Sequence, residues 1–171
     1  MEIYLVRHAE ALDATEGLAD ELRHLTRRGR KDAAKLARRL KRHGVRPGLI
    51  ISSPLIRAVQ TAELLAAKIG RETLVTATAA LSPGAAVEAL MAIIRQADHP
   101  KSILCVGHEP QLSQLAALLL GFEHIAPLTK GSCLALSVKP DRTGRHAAFN
   151  WYAPATGKLV TSPRKALVRP A

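Results

Sequence analysis

The spacing of apolar residues predicts an α/β domain, a three-layer α/β/α arrangement with a mainly parallel sheet and an antiparallel edge. Two features predict it. Short apolar runs at residues 3–6, 49–51 and 102–106 are each followed by a stretch with helical spacing, the alternation of parallel βαβ units. The last two strand-like runs, 133–138 and 147–152, have no helical stretch between them, so they pair antiparallel at the sheet edge. At 171 residues, 47% of them hydrophobic, the chain is the size of one domain with a sizeable core.

The elements follow in order. Ile3, Tyr4, Leu5 and Val6 form the first strand, so Arg7 and His8 stand at its carboxyl end. Residues 11–24 are polar and read as a loop with room for one helical turn. Thr26 is placed to cap a helix reaching about residue 43. Ala33, Leu36, Ala37 and Leu40 line one side of that helix, and Arg30, Lys31, Lys35, Arg38, Arg39 and Arg42 spread over the others. Gly44 stops it. Leu49, Ile50 and Ile51 form a continuously apolar strand, as in the middle of a covered sheet. The next helix is expected to use Ser53 as N-cap and Pro54 in its first turn and to run to residue 69, with Arg57 on its opening turns. Residues 73–78 form a further strand, and 82–84 a turn. A helix over 85–97 carries Val87, Leu90, Met91 and Ile94 on one side and breaks at His99-Pro100. Residues 102–106 are the clearest buried strand. They end in Gly107-His108-Glu109-Pro110, before a very apolar helix over 111–120 closed by Gly121. A turn over 140–144 joins the last two strands. Residues 1–156 are thus the domain, and 157–171 read as a basic tail with little fixed structure.

Charge narrows the partners. Against 14 acidic residues stand 25 basic ones, a net +11; from Arg23 to Arg46 eleven basic residues face only Asp32. That run is either an attraction for anions or, on the plainer reading, a solvated helix face. An aromatic content of 3% leaves few rings for stacking bases, which disfavours nucleic acid as a partner. No apolar run approaches the ~20 residues of a membrane span, and the first residues lack the pattern of a signal peptide. Cys105 and Cys133 lie in apolar runs and are expected as buried, unpaired thiols. A cytoplasmic monomer without membrane contact is the expectation.

Three loops carry matching equipment. Arg7 and His8 follow the first strand, Arg57 the second, and His108 the later one. If those strands are parallel neighbours, two arginines and two histidines meet in one crevice beyond the strand ends. Such a set suits a phosphoryl group, because arginines clamp and neutralise its oxygens and a neutral imidazole attacks phosphorus in line. Taken singly, His108 reads as an ordinary hydrogen-bonded loop histidine and Arg57 as a surface cation. A metal site on His8 and His108 is the competing reading, but no carboxylate or third histidine stands at a comparable strand end. Neither metal nor cofactor is therefore expected.

The segments Leu5-Val6-Arg7-His8-Ala9-Glu10, Ser52-Ser53-Pro54-Leu55-Ile56-Arg57-Ala58-Val59-Gln60-Thr61-Ala62 and Val106-Gly107-His108-Glu109-Pro110 closely resemble the histidine phosphatase (phosphoglycerate mutase-like) superfamily. The short chain and motif spacing look most like its small SixA-type branch of phosphohistidine phosphatases. The resemblance implies a phosphoglycerate mutase-like fold without a large cap. It also implies His8 as phosphorylated nucleophile, with Arg7, Arg57 and His108 binding the phosphoryl group. Two departures matter. The family's Arg-His-Gly is Arg-His-Ala here, and the segment 81–84 lacks the acidic proton donor that mutase-like relatives carry in that region. Without such an acid, alkoxide leaving groups lose an aid worth ~10²–10⁴-fold, whereas an imidazole takes its proton from solvent. The implied function is metal-independent hydrolysis of phosphohistidine on a protein, in a shallow, open site. The alternatives are a phosphatase of sugar phosphates, nucleotides or short polyphosphates, and a non-catalytic anion or nucleic-acid binder.

Overall fold

The computed structural model describes residues 1–14, 18–70, 73–97, 100–138 and 147–168. Its sheet has six strands: β1 (Glu2–Arg7), β2 (Leu49–Ser52), β3 (Val75–Ala77), β4 (Ser102–Gly107), β5 (Cys133–Val138) and β6 (Ala147–Ala153). They lie in the order β3-β2-β4-β1-β5-β6. β4 is parallel to both β1 and β2, and β2 to β3, while β5 runs antiparallel to β1 and to β6. The mainly parallel sheet with an antiparallel edge is therefore present.

Alternation along β1 builds two cores at once. Ile3 and Leu5 join Ile103, Cys105, Leu134 and Leu136 on one face; Tyr4 and Val6 join Leu104, Val106, Cys133 and Ala135 on the other. The second face is covered by α1 (Arg27–Arg42) and α2 (Ile56–Leu65), through Leu36, Ala37, Leu40, Ala58, Ala62 and Leu65. The first is covered by α3 (Val87–Gln96), α4 (Gln111–Leu120) and α5 (Pro163–Leu167). This is the three-layer architecture. The two cysteines are buried and free; they sit on opposite sheet faces, which keeps their thiols apart.

Local signals place most elements. The Thr26 hydroxyl accepts from Gly29 N at 2.9 Å, capping α1 as expected. Gly44 and Gly121, at φ 72° and 73°, end α1 and α4 in the left-handed conformation that glycine adopts without strain. On its outer side α1 is exposed; Arg28 pairs with Glu10 and Asp32, Lys35 with Asp32, and Arg39 donates to Pro154 O.

Two expectations are corrected. The second helix starts at Ile56 with Leu55 as N-cap, not at Ser53-Pro54, and its last turn, Ala66–Gly70, is π-helical. The chain beyond Gly157 is not a loose tail through residue 168. Val160 pairs with Tyr152, and α5 buries Leu167, at 2% exposure, in the core. Five residues are too few to show a helical period, which is why composition alone misjudged them. His99, His146 and the turn over 140–144 lie outside the described residues.

Candidate active site

β4 lies between β1 and β2, so the carboxyl ends of all three open on one crevice. The structure brings the four residues singled out above to that place. His8 follows β1 and donates its backbone N–H to Gly107 O at 3.1 Å; the rings of His8 and His108 are 4.9 Å apart. Arg57 projects from the first turn of α2, and Arg7 ends β1.

The packing that fixes them is local and tight. Ala9 N donates to Thr61 Oγ1 at 3.1 Å, and Thr61 donates to Arg57 O at 2.7 Å, so one hydroxyl ties the loop of His8 to the turn of Arg57. Ala9, where the family has glycine, is fully buried against Ala11, Leu25 and Ala33; its methyl is part of a small core. The start of α1 presses on the same loop. A Cβ at Gly29 would overlap the Glu10 carbonyl oxygen, so only glycine lets the helix approach so closely. At Gly107 a Cβ would lie 2.9 Å from Leu81 Cδ2 and 3.4 Å from Leu112 Cδ2, so a side chain there must displace the end of Leu81.

His8 Nδ1 is 2.7 Å from Ala9 O. A carbonyl only accepts, so Nδ1 carries the proton, and the neutral ring keeps a lone pair on Nε2. Burial pushes the His8 pKa down to about 4, reinforced by the charges of Arg57, Arg7 and Lys130 and opposed by the bond to Ala9. Burial lowers His108 to about 3, with His8, Arg57 and Arg7 acting in the same direction and Asp20 against them. His108 Nε2 lies 2.9 Å from Ser53 Oγ. Both rings are therefore neutral at pH 7, and that of His8 offers a nucleophilic nitrogen.

The arginines are held by different means. Arg7 Nη1 donates to Leu128 O at 2.7 Å, while its Nε is buried with no acceptor among the described residues, a donor suited to an anion. Arg57, only 5% exposed, meets Asp20: Nη1 donates to the Asp20 carbonyl at 2.7 Å and Nη2 to Oδ2 at 2.9 Å. Asp20 belongs to a 3₁₀ turn, Asp20–Leu22, within the loop expected over 11–24. The expected shallow, open site is thus partly covered; His8 and His108 are 6% and 5% exposed.

The nearby carboxylates are engaged. Glu109 accepts from Leu128 N at 3.1 Å and from Ser113 Oγ, with its pKa raised by burial. Glu10 accepts from Thr26 Oγ1 at 2.8 Å. Segment 81–84 supplies no acid, and Glu88 is exposed on α3. Sequence reasoning missed Asp20, the Ser53 contact and Thr61. Thr61 had a signal, its i, i+4 spacing from Arg57 on one helix face. Asp20 had none beyond being an acid in a polar loop.

Residues 3–82 match the family model for the histidine phosphatase superfamily, branch 1. An uncharacterized protein of Picosynechococcus is 32% identical over 169 residues, 96% of this chain and 98% of that one. The fold superposes on the protein histidine phosphatase SixA complexed with tungstate at a TM-score of 0.80, with 25% identity over 91% of this chain and 97% of the other. It also superposes on a putative alpha-ribazole-5'-P phosphatase from Escherichia coli at a TM-score of 0.69, with 22% identity over 95% and 96%.

Proposed function

The chain belongs to the histidine phosphatase superfamily, and on that premise we propose that this phosphatase hydrolyses phosphohistidine on proteins through a covalent phosphohistidine at His8. The observation that carries the covalent step is the Nδ1–H of His8 donating to Ala9 O, which leaves Nε2 unprotonated. Nε2 attacks phosphorus while the bond from phosphorus to the substrate imidazole breaks, and that imidazole takes a proton from solvent. Water then attacks the phosphoryl group on His8, releasing inorganic phosphate and restoring the neutral ring. Arg7, Arg57 and His108 surround the phosphoryl oxygens; the two guanidiniums offset their charge, and the neutral His108 ring helps to position them, a role of placement and electrostatics rather than bonding. No metal takes part in this scheme.

Substrate class rests on the carboxylates. The Arg57 guanidinium holds the Asp20 carboxyl below its ordinary range, Thr26 engages Glu10, and Leu128 N and Ser113 Oγ engage Glu109, so among the described residues no unengaged carboxylic acid stands at the site to protonate an alkoxide. A P–N bond needs that help least. The likeness to SixA supports the same choice. The fold shared with the alpha-ribazole-5'-P phosphatase makes a small phosphate monoester the second reading.

The test is a rate comparison on a phosphohistidine protein and a panel of sugar phosphates, nucleotides and short polyphosphates, with and without EDTA. Phosphohistidine should be preferred and EDTA without effect. His8→Ala should abolish turnover and the acid-labile phosphoenzyme. Full activity in that variant overturns the covalent scheme, and preference for a small ester moves the substrate to the second reading.

A further inference from the structure

Arg57 is a cation almost out of contact with water, and its guanidinium is gripped end-on by one residue. The Asp20 carbonyl takes Nη1 and the Asp20 carboxylate takes Nη2, across 37 positions of sequence. Asp20 does not hang free. Its other oxygen accepts from Arg23 Nη1 at 2.7 Å, and Arg23 Nε donates in turn to Leu12 O at 2.6 Å. A chain of hydrogen bonds thus runs from the backbone at Leu12 through Arg23 and Asp20 to Arg57.

The arithmetic of the guanidinium shows what this leaves over. Five N–H groups lie in one plane, and Asp20 uses one on each terminal nitrogen. The Nε–H and one hydrogen on each Nη remain. An oxyanion beside Arg57 can therefore bind along the flank of the plane while Asp20 keeps its end. The clamp also offsets part of the positive charge beside His108. With Arg7, Arg57 and Lys130 all acting on His8, Asp20 is the acid that acts on His108 in the opposite sense. The segment itself contributes little packing, for Asp20–Leu22 buries no residue. Its contact with α2 is polar and specific rather than apolar and general.

We propose that Asp20 is a positioning residue, which fixes the plane of Arg57 so that its free flank faces the phosphoryl oxygens. The proposal rests on Arg57 contacting the phosphoryl group, as in the function above. A guanidinium on a flexible stem samples many orientations, and locking it beforehand removes that ordering cost from the transition state. Asp20 acts through Arg57 and touches no reacting atom itself.

The experiment is a double-mutant cycle on the full chain, with phosphohistidine protein and p-nitrophenyl phosphate as substrates. Asp20→Ala should lower kcat/KM about tenfold or more on both, chiefly in kcat, and Asp20→Asn less, because the amide oxygen still accepts from Nη2. In an Arg57→Lys background the Asp20 change should have almost no further effect. Loss in kcat rather than KM is the readout that a merely structural role would not move, and nitrogen NMR of the arginine side chains reports whether the plane of Arg57 is fixed. Rotation about the Cζ–Nε bond of Arg57 should be slow in the parent and fast in Asp20→Ala, with thermal melting nearly unchanged. An Asp20→Ala enzyme with unaltered kcat/KM, or with tighter binding of inorganic phosphate, overturns the proposal. The first outcome makes the pair structural; the second makes Asp20 a plug that the anion displaces. If Arg57→Lys and Arg57→Gln leave turnover intact, the role of Arg57 falls, and the proposal with it.

Discussion

Acidification separates a buried nucleophilic imidazole from an exposed one. An ordinary histidine, with a pKa of 6.5, is neutral in only about 3% of molecules at pH 5. With its pKa at about 4, His8 is still neutral in about 90%. The share of enzyme able to attack phosphorus should therefore be about 30-fold larger at pH 5 than for an exposed ring. His108, at about 3, stays neutral further still. The same shift governs stability. Between pH 6.5 and 4 the unfolded chain binds a proton at residue 8 that the folded chain refuses, so stability present above pH 6.5 is lost as the pH falls. The loss approaches about 3 kcal/mol for His8 by pH 4, a large part of the stability of an ordinary domain. Carbon NMR of ring-labelled histidine checks the titration, with His8→Asn assigning the resonance, and thermal melts at pH 7, 5.5 and 4.5 check the linkage. A midpoint for His8 near 6.5, or a Tm unchanged over that range, refutes the argument that burial and the arginine charges hold the ring neutral.

Two further predictions follow from packing. Gly29→Ala puts a methyl into the Glu10 backbone, which cannot yield, and should cost at least about 2 kcal/mol; Gly107→Ala presses mainly on the end of the Leu81 side chain and should cost about 1 kcal/mol, both read by denaturant unfolding. Leu167→Ala should lower stability by about 2–4 kcal/mol, although it lies near the chain end; no change would mean that α5 does not dock on the core.

The motif residues were legible because their placement depends on short-range information. An apolar run of four followed by Arg7-His8 announces a strand end, and so does the run before Gly107-His108. The stripe from Ala33 to Leu40 and the Thr26 cap locate α1 within a residue or two. Errors fell where local cues compete. Ser53-Pro54 has the chemistry of a helix start, yet the Ser53 hydroxyl turns to His108 and the helix begins at Ile56. The shallow, open site expected from the resemblance is partly covered, because Asp20 of a short 3₁₀ turn lies against Arg57.

Residue type, order and periodicity along the chain are enough for the family, the sheet's parallel core and the four residues at its strand ends, since each is a property of neighbours in sequence. Three things needed the folded chain. The grip of Asp20 on Arg57 joins groups 37 residues apart, and no pattern in either segment points to the other. The neutrality of His8 and His108 comes mainly from desolvation, which sums over every element packed around them. The seat of Leu167 exists only once α4 and the sheet have formed the surface it covers. Those are long-range contacts, and their energies belong to the assembled core rather than to any stretch of sequence.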